Sequence, residues 1–311
     1  MRIAVVDIGS NTVRLVIYDI YDAPGALSPA GAGAQRRVIL REKEALGLVN
    51  FVRKGVMADE GVHKLIRVLN NYRVTAAWVA CERFCCFATA SLRNIINTQD
   101  VMGRIKAETG LDIDLIAGED EALLGFYGME DAMRAKDGFY IDMGGSSTEL
   151  LGFRGSAPVK AVSVPFGSLQ LFKKFVRKII PRRAELRRID RYVRDKLEGL
   201  DWLGDFGGDA YMVGGVSRAI VKLHNGIYHT EFDEEGFCCT VERFEEIYKF
   251  ITKPGDARIR CMIREIPDRL HNAIPGLCAM RAVLQAAGIK TLHVSSAGIR
   301  EGYLIRRVLG K

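Results

Sequence analysis

Short apolar blocks bracket a phrase that occurs twice along the chain. Residues 3–17 read IAVVDIGSNTVRLVI and residues 139–151 read FYIDMGGSSTELL. In each, an apolar run reaches an Asp, breaks on a cluster of Gly, Ser and Thr, and resumes. A buried strand that turns tightly into a second strand has this pattern. The first copy predicts two strands over 2–20 joined by the turn Asp7–Thr12; the second predicts strands over 139–142 and 149–153. Further strands are expected over 37–43, 74–80, 85–89, 111–117, 158–164, 211–213 and 291–296. Within 59–71, Val62, Leu65, Ile66 and Leu69 recur at helical spacing and predict an amphipathic helix. Thr98 reads as the N-cap of a helix that stops at Gly110, Glu121 opens another, and Thr240 caps a third. Residues 22–35, DAPGALSPAGAGAQ, read as a flexible hairpin tip. Each half therefore runs through a three-stranded meander and then alternating helices and strands. That is an α/β mixed sheet with helices around it, duplicated.

Composition changes this picture little. The chain has 311 residues, 48% apolar and 27% charged, long enough for two cores. No apolar run approaches the roughly 18 residues of a membrane span. The start enters a strand pattern at once, without a leader signature, so the expected compartment is the cytoplasm. Seven cysteines, an odd number, lack paired zinc-ligand spacing and read as buried reduced thiols.

Charge adds one feature. The net charge is +7, and 173–196 carries eleven Lys and Arg against Glu185, Asp190 and Asp195. A basic helical face is most simply a solvated surface, yet this density also suits a polyanion. No zinc finger, RNA-binding signature or aromatic-interleaved basic stripe accompanies it, so no specific nucleic acid is expected.

The turns carry the candidate chemistry. Their glycines admit φ > 0 and let backbone N–H groups approach a ligand. With the hydroxyls beside them they form concave anion nests: Gly9, Ser10 and Asn11 in the first, Gly144, Gly145, Ser146 and Ser147 in the second. The strand-end acids Asp7 and Asp142, with Glu149, suit a divalent metal. Arg93 lies just past a strand end, where an α/β sheet puts its ligands, and a guanidinium can hold phosphate bidentately. The acidic run Gly118–Glu121 either complements a helix dipole or supplies a base for an attacking water. Gly214–Arg218 and Ser295–Gly298 are further turns of the same style. No GxxxxGK[ST] loop, GxGxxG fingerprint or GxSxG elbow is present.

Seven segments together resemble the Ppx/GppA phosphatase family: VVDIGSNTVRLVI, FATASLRNIIN, IAGEDEALLGF, YIDMGGSSTELL, VPFGSLQLF, VGGVSRAI and SSAGIREGYL, in that family's order. The resemblance implies a duplicated actin-like architecture of the sugar-kinase/actin superfold, with two domains (1–121 and 122–311) flanking an interdomain cleft. The closing stretch 299–311 is expected to pack back on the first domain. It implies an exopolyphosphatase or guanosine pentaphosphate phosphohydrolase that releases terminal phosphate from inorganic polyphosphate or pppGpp. Glu121 matches the carboxylate that activates water and Arg93 a phosphate-binding arginine. Asn11, Gly144, Ser147 and Ser168 match phosphate-binding positions, Asp142 and Glu149 acids linked to Mg²⁺, with Asp7 a third, and Arg269 an arginine that faces a nucleotide. A homodimer is compatible with this family. Two departures stand out: Ser146 replaces the family's third turn glycine, and Val216 replaces a threonine. The competing readings are an ATP-dependent phosphotransferase on the same superfold and a non-catalytic (p)ppGpp-binding module.

Overall fold

A computed structural model describes residues 1–22 and 34–311; most of the hairpin tip expected over 22–35 lies outside them. The chain divides into two compact units, Met1–Gly118 with Tyr303–Lys311, and Glu119–Gly302.

In the first unit, β1 (Arg2–Ile8), β2 (Val13–Asp22) and β3 (Ala34–Glu44) form the meander. A minimal hairpin, β4 (Val52–Arg53) and β5 (Val56–Met57), leads to α1 (Asp59–Trp78). Then come β6 (Arg83–Ala88), α2 (Ala90–Arg93), α3 (Thr98–Thr109) and β7 (Ile113–Leu115). The five-stranded sheet has the order β3-β2-β1-β6-β7. Strand β1 is central, antiparallel to β2 and parallel to β6. Its consecutive Ile3, Ala4, Val5 and Val6 are buried, as a strand covered on both faces requires. The closing segment belongs here too: Phe87 and Tyr303 rings lie 4.6 Å apart, and the Arg83 guanidinium donates to the Val308 carbonyl at 2.7 Å.

The second unit opens with α4 (Gly118–Met133), followed by the meander β8 (Gly138–Met143), β9 (Thr148–Arg154) and β10 (Ala157–Val164). Helices α5 (Ser168–Phe175) and α6 (Arg183–Leu197) precede β11 (Gly208–Val213) and α7 (Gly214–Tyr228). The remainder is β12 (Cys238–Thr240), α8 (Val241–Thr252), α9 (Asp256–Glu265), α10 (Ala273–Ala286), β13 (Ile289–Val294) and α11 (Ile299–Tyr303). Its sheet runs β10-β9-β8-β11-β13-β12, the first unit's order with one added edge strand. The duplicated α/β, actin-like architecture is therefore present in the strand order.

Period-two alternation gives the second sheet two different faces. Phe139, Ile141 and Leu150 join the large core beneath α5–α8 and α10. Tyr140, Leu151 and Phe153 point the other way, onto Ala122, Phe126 and Met129 of α4. Each fully buried large apolar side chain contributes roughly 1.5–3 kcal/mol.

Three local expectations are corrected. Residues 74–80 are not a strand, because α1 continues to Trp78. Tyr72 and Ala76 extend the buried stripe of Leu65 and Leu69, while Val74 and Trp78 face solvent. Thr98 is not a cap but the first residue of α3; its hydroxyl donates to the Leu92 and Ile95 carbonyls, both at 2.7 Å. Helix α4 opens at Gly118, which places Glu121 within its first turn.

Candidate active site

The two Asp–Gly turns are built differently from the expectation that glycine supplies φ > 0. Neither Gly9 nor Gly144 has positive φ. Glycine is needed at position 9 for close approach: a Cβ there would lie 2.9 Å from the Thr12 carbonyl, to which Gly9 N–H donates at 3.1 Å. Ser146 likewise has no positive φ, so its side chain meets no backbone strain. The first turn is pinned from outside. Ser10 and Asn11 carbonyls accept from Val49 and Gly47 N–H groups at 3.0 and 2.8 Å, and the Ser91 hydroxyl donates to the Ile8 carbonyl. Arg93 ends α2, and its guanidinium donates to the Ile116 carbonyl at 2.8 Å. Asp7, Gly9, Ser10, Asn11 and Arg93 all belong to the first unit.

The second turn is seated on α5. The Ser168, Leu169 and Gln170 N–H groups donate to the Gly144 and Gly145 carbonyls at 2.9–3.0 Å, so the orphan donors of the helix start are satisfied by the turn. Ser168 is buried, and its hydroxyl donates to the Gly144 carbonyl at 3.2 Å; in this state it holds the turn. Thr148 locks the other side through its hydroxyl to the Phe166 carbonyl at 2.7 Å.

This turn carries an acidic cluster. Asp142 and Glu149 are cross-strand partners, and Ser163 pairs with Glu149 on the next strand and donates to its Oε1 at 2.8 Å. Glu149 is only 1% exposed. Burial, then Glu121 and Asp142, push its carboxyl well above the ordinary carboxylate range, while hydrogen bonds from Ser163 and Ser147 pull it partly back. Tyr140 lies on the same sheet face, two residues before Asp142. Its proton is held far more tightly than usual, first by burial and then by Asp142, Glu149, Glu121 and Glu301. Helix α4 thus delivers Glu121, itself buried, to the carboxylates of β8 and β9.

Glycines set the height of α4. A methyl group on Gly125 would overlap the Tyr140 hydroxyl, one on Gly128 the Gly298 carbonyl, and one on Gly302 the Leu124 carbonyl. The i, i+3 pair Gly125 and Gly128 in LLGFYGM is the sequence signal for this close packing. Tyr140, Ser163 and these glycines were not expected as parts of the site.

At the start of α7, Gly214 has φ 89°, and a Cβ there would stand 2.5 Å from Asp142 Oδ1. The Arg269 guanidinium lies against Gly215. Arg218, one turn on, sits 3.9 Å from Glu234. Burial weakens its hold on its proton, Glu234 strengthens it, and the neighbouring Arg269 and Arg300 weaken it again. Val216, where a hydroxyl was missed, is a core residue with Gly276 against it, so its side chain is not a phosphate contact.

Among the described residues no three His, Cys, Asp or Glu side chains converge tightly enough to hold a metal alone. The donors at Asp142 and Glu149 are hard carboxylate oxygens. Mg²⁺ suits such a pair, because it keeps several waters and completes its shell with substrate phosphates. A buried carboxyl driven toward its neutral form by acidic neighbours is also what a bound cation would relieve.

Strand order and paired acidic or glycine turns define a duplicated actin-like protein with a carboxylate site in its second unit. The Ppx/GppA phosphatase family matches residues 30–310, and the chain belongs to that family. Exopolyphosphatase 1 of Mycobacterium leprae is 24% identical over 314 residues, covering 99% of this chain and 90% of that protein. Retrograde regulation protein 2 of Saccharomyces cerevisiae is 28% identical over 239 residues, 70% of this chain and 40% of its own. The crystal structure of an exopolyphosphatase from Cytophaga hutchinsonii shares the fold with TM-score 0.86 at 22% identity, covering 100% of this chain and 98% of that one. Among the described residues no helix is long and apolar enough to cross a membrane.

Proposed function

We propose that this protein hydrolyses the terminal phosphoanhydride of inorganic polyphosphate, with pppGpp as a second substrate. The observation that carries the reading is the meeting of Glu121 from α4 with Asp142 and Glu149 of one sheet face, with Ser147 and Ser163 hydrogen-bonded to Glu149. Exopolyphosphatases among the relatives support the choice of substrate.

Asp142 and Glu149 are the residues that would hold Mg²⁺, which when bound supplies charge neutralisation for phosphate oxygens. Glu121 takes a proton from water as the water oxygen bonds to the terminal phosphorus. The bond from that phosphorus to the bridging oxygen breaks, and the shortened chain leaves with the electron pair. Phosphoryl transfer needs positioning and charge balance more than covalent help. By the family resemblance the candidate phosphate ligands are the Gly9–Asn11 turn and Arg93 in the first unit and the Gly144–Ser147 turn in the second, with Arg269 the candidate contact to a nucleotide.

The test is phosphate release from polyphosphate and pppGpp side by side, with and without Mg²⁺, in wild type and Glu121→Gln. General-base assistance is worth about 10²–10⁴-fold, so the variant should lose at least a hundredfold in kcat while remaining folded. Full activity in that variant refutes the assignment of Glu121. ATP-dependent transfer to an acceptor without hydrolysis, or tight (p)ppGpp binding without phosphate release, refutes the hydrolase reading itself.

A further inference from the structure

The basic stretch after residue 173 is not one helix. Its second part, α6, packs on α10, as does α8. Between α6 and α8 opens a cavity of about 450 Å³, within the range of roughly 300–1,000 Å³ typical of ligand sites. Arg183 and Arg187 line it from α6, Lys249 and Lys253 from the end of α8, over a floor of Leu186, Tyr248 and Thr252. No carboxylate is among the lining residues.

The charges are uncompensated for identifiable reasons. Glu185 is buried and spends its carboxylate on the backbone N–H groups of Arg182 and Arg177, at 2.8 and 3.3 Å. Asp190 pairs with Arg194 at 2.9 Å, Glu245 with Arg281 at 2.6 Å and Glu246 with Arg243 at 2.9 Å. Among the described residues Arg183, Arg187, Lys249 and Lys253 form no ion pair. Lysines at the end of α8 merely complement its dipole. Arginines at the start of α6 do the opposite: Arg183 is the first helical residue, where a cation opposes the dipole. Four exposed cations in two i, i+4 pairs, Arg183 among them standing against its helix dipole, are an arrangement that an extended polyanion stabilises.

We infer that the α6–α8 groove is an exosite for the distal part of a polyphosphate chain, so that the protein favours long chains over short ones. The choice of polyphosphate rests on the function proposed above; the preference for a polyanion rests on the groove alone.

The experiment has two readouts. Binding of end-labelled long-chain polyphosphate is measured by fluorescence anisotropy on the Glu121→Gln protein, which arrests turnover. Phosphate release from long-chain polyphosphate and from tripolyphosphate is measured on proteins with Glu121 intact. Arg183→Glu/Arg187→Glu and Lys249→Glu/Lys253→Glu are compared with Lys136→Glu/Lys290→Glu, a control of equal charge change outside the groove. Each groove pair should weaken long-chain binding about tenfold and raise KM for long chains in step, with tripolyphosphate turnover unchanged. The control should change either by less than twofold. Arg183→Glu relieves the dipole conflict, so folding is not at risk, and Gln versions provide a milder check. Groove pairs that act no more strongly than the control overturn the exosite. So does an equal loss on tripolyphosphate, or binding of single-stranded RNA that polyphosphate cannot displace. If wild type releases no phosphate from any chain yet binding still depends on the groove, the exosite stands and the hydrolase reading falls.

Discussion

The two Asp–Gly turns share a shape and a register but not a charge. In each, the residue seven positions after the Asp is its cross-strand partner: Arg14 for Asp7, Glu149 for Asp142. The first pairing joins opposite charges. The second sets like charges on one face, and α4 adds Glu121 to them. Directly opposed like charges destabilise a sheet. A site that keeps them is built for a cation or a proton, whereas Asp7 has a guanidinium-bearing residue across from it. Duplication of the hairpin therefore preserved its geometry while the two copies took different electrostatic work. Under the proposed function, Mg²⁺ would belong with Asp142 and Glu149 rather than equally with Asp7.

Mg²⁺ titration is the strongest way to break that comparison. Asp142→Asn should raise the Mg²⁺ concentration for half-maximal activity by about tenfold or more, and Asp7→Asn by less than about threefold. A larger effect at Asp7 would reverse the assignment.

A second test acts on the helix that gives the second turn its third acid. Gly125→Ala places a methyl group on the Tyr140 hydroxyl. Overpacking of this kind costs about 1–3 kcal/mol, so chemical denaturation should show that loss. Phosphate release should fall by more than the population of folded protein does, because Glu121 rides on the displaced helix.

The smallest effect concerns Glu149 itself. Its folded-state affinity for a proton is raised, so the native state binds a proton that the unfolded chain releases. That stabilisation is complete below the unfolded carboxylate value of about 4.3 and is lost as pH rises through the raised value. In metal-free protein Glu149→Gln should therefore raise Tm at pH 8 by about 2–4 °C, and the gap should shrink toward pH 5. An equal gap at both pH values would show that Glu149 is not held toward its neutral form.

Much of this was visible in the chain. Both Asp–Gly turns, the meanders around them and the acids Asp142 and Glu149 follow from apolar runs broken by small residues. Glu121 was found through its motif, but its burial was not, since a first-turn Glu is usually a solvated complement to the helix dipole. Tyr140 was within reach, because a residue two before Asp142 must share its face. Ser163 was not, since its pairing depends on a register that shifts between Pro158 and Lys160. The continuation of α1 through Val74 and Thr75 was misread because β-branched residues weigh toward strand, whereas Tyr72 and Ala76 keep the helical stripe. The groove depends on α8, far along the chain, whose lysines look unremarkable until they stand opposite α6.

The first unit joins Met1–Gly118 to Tyr303–Lys311, and Arg83 reaches Val308, 225 residues further on. During synthesis, Glu119–Gly302 is a continuous stretch that can condense once it has emerged from the ribosome. All five strands of the first sheet lie within Arg2–Leu115, so that sheet can pair early, and only the contacts of Phe87 with Tyr303 and of Arg83 with Val308 wait until the second unit has been made.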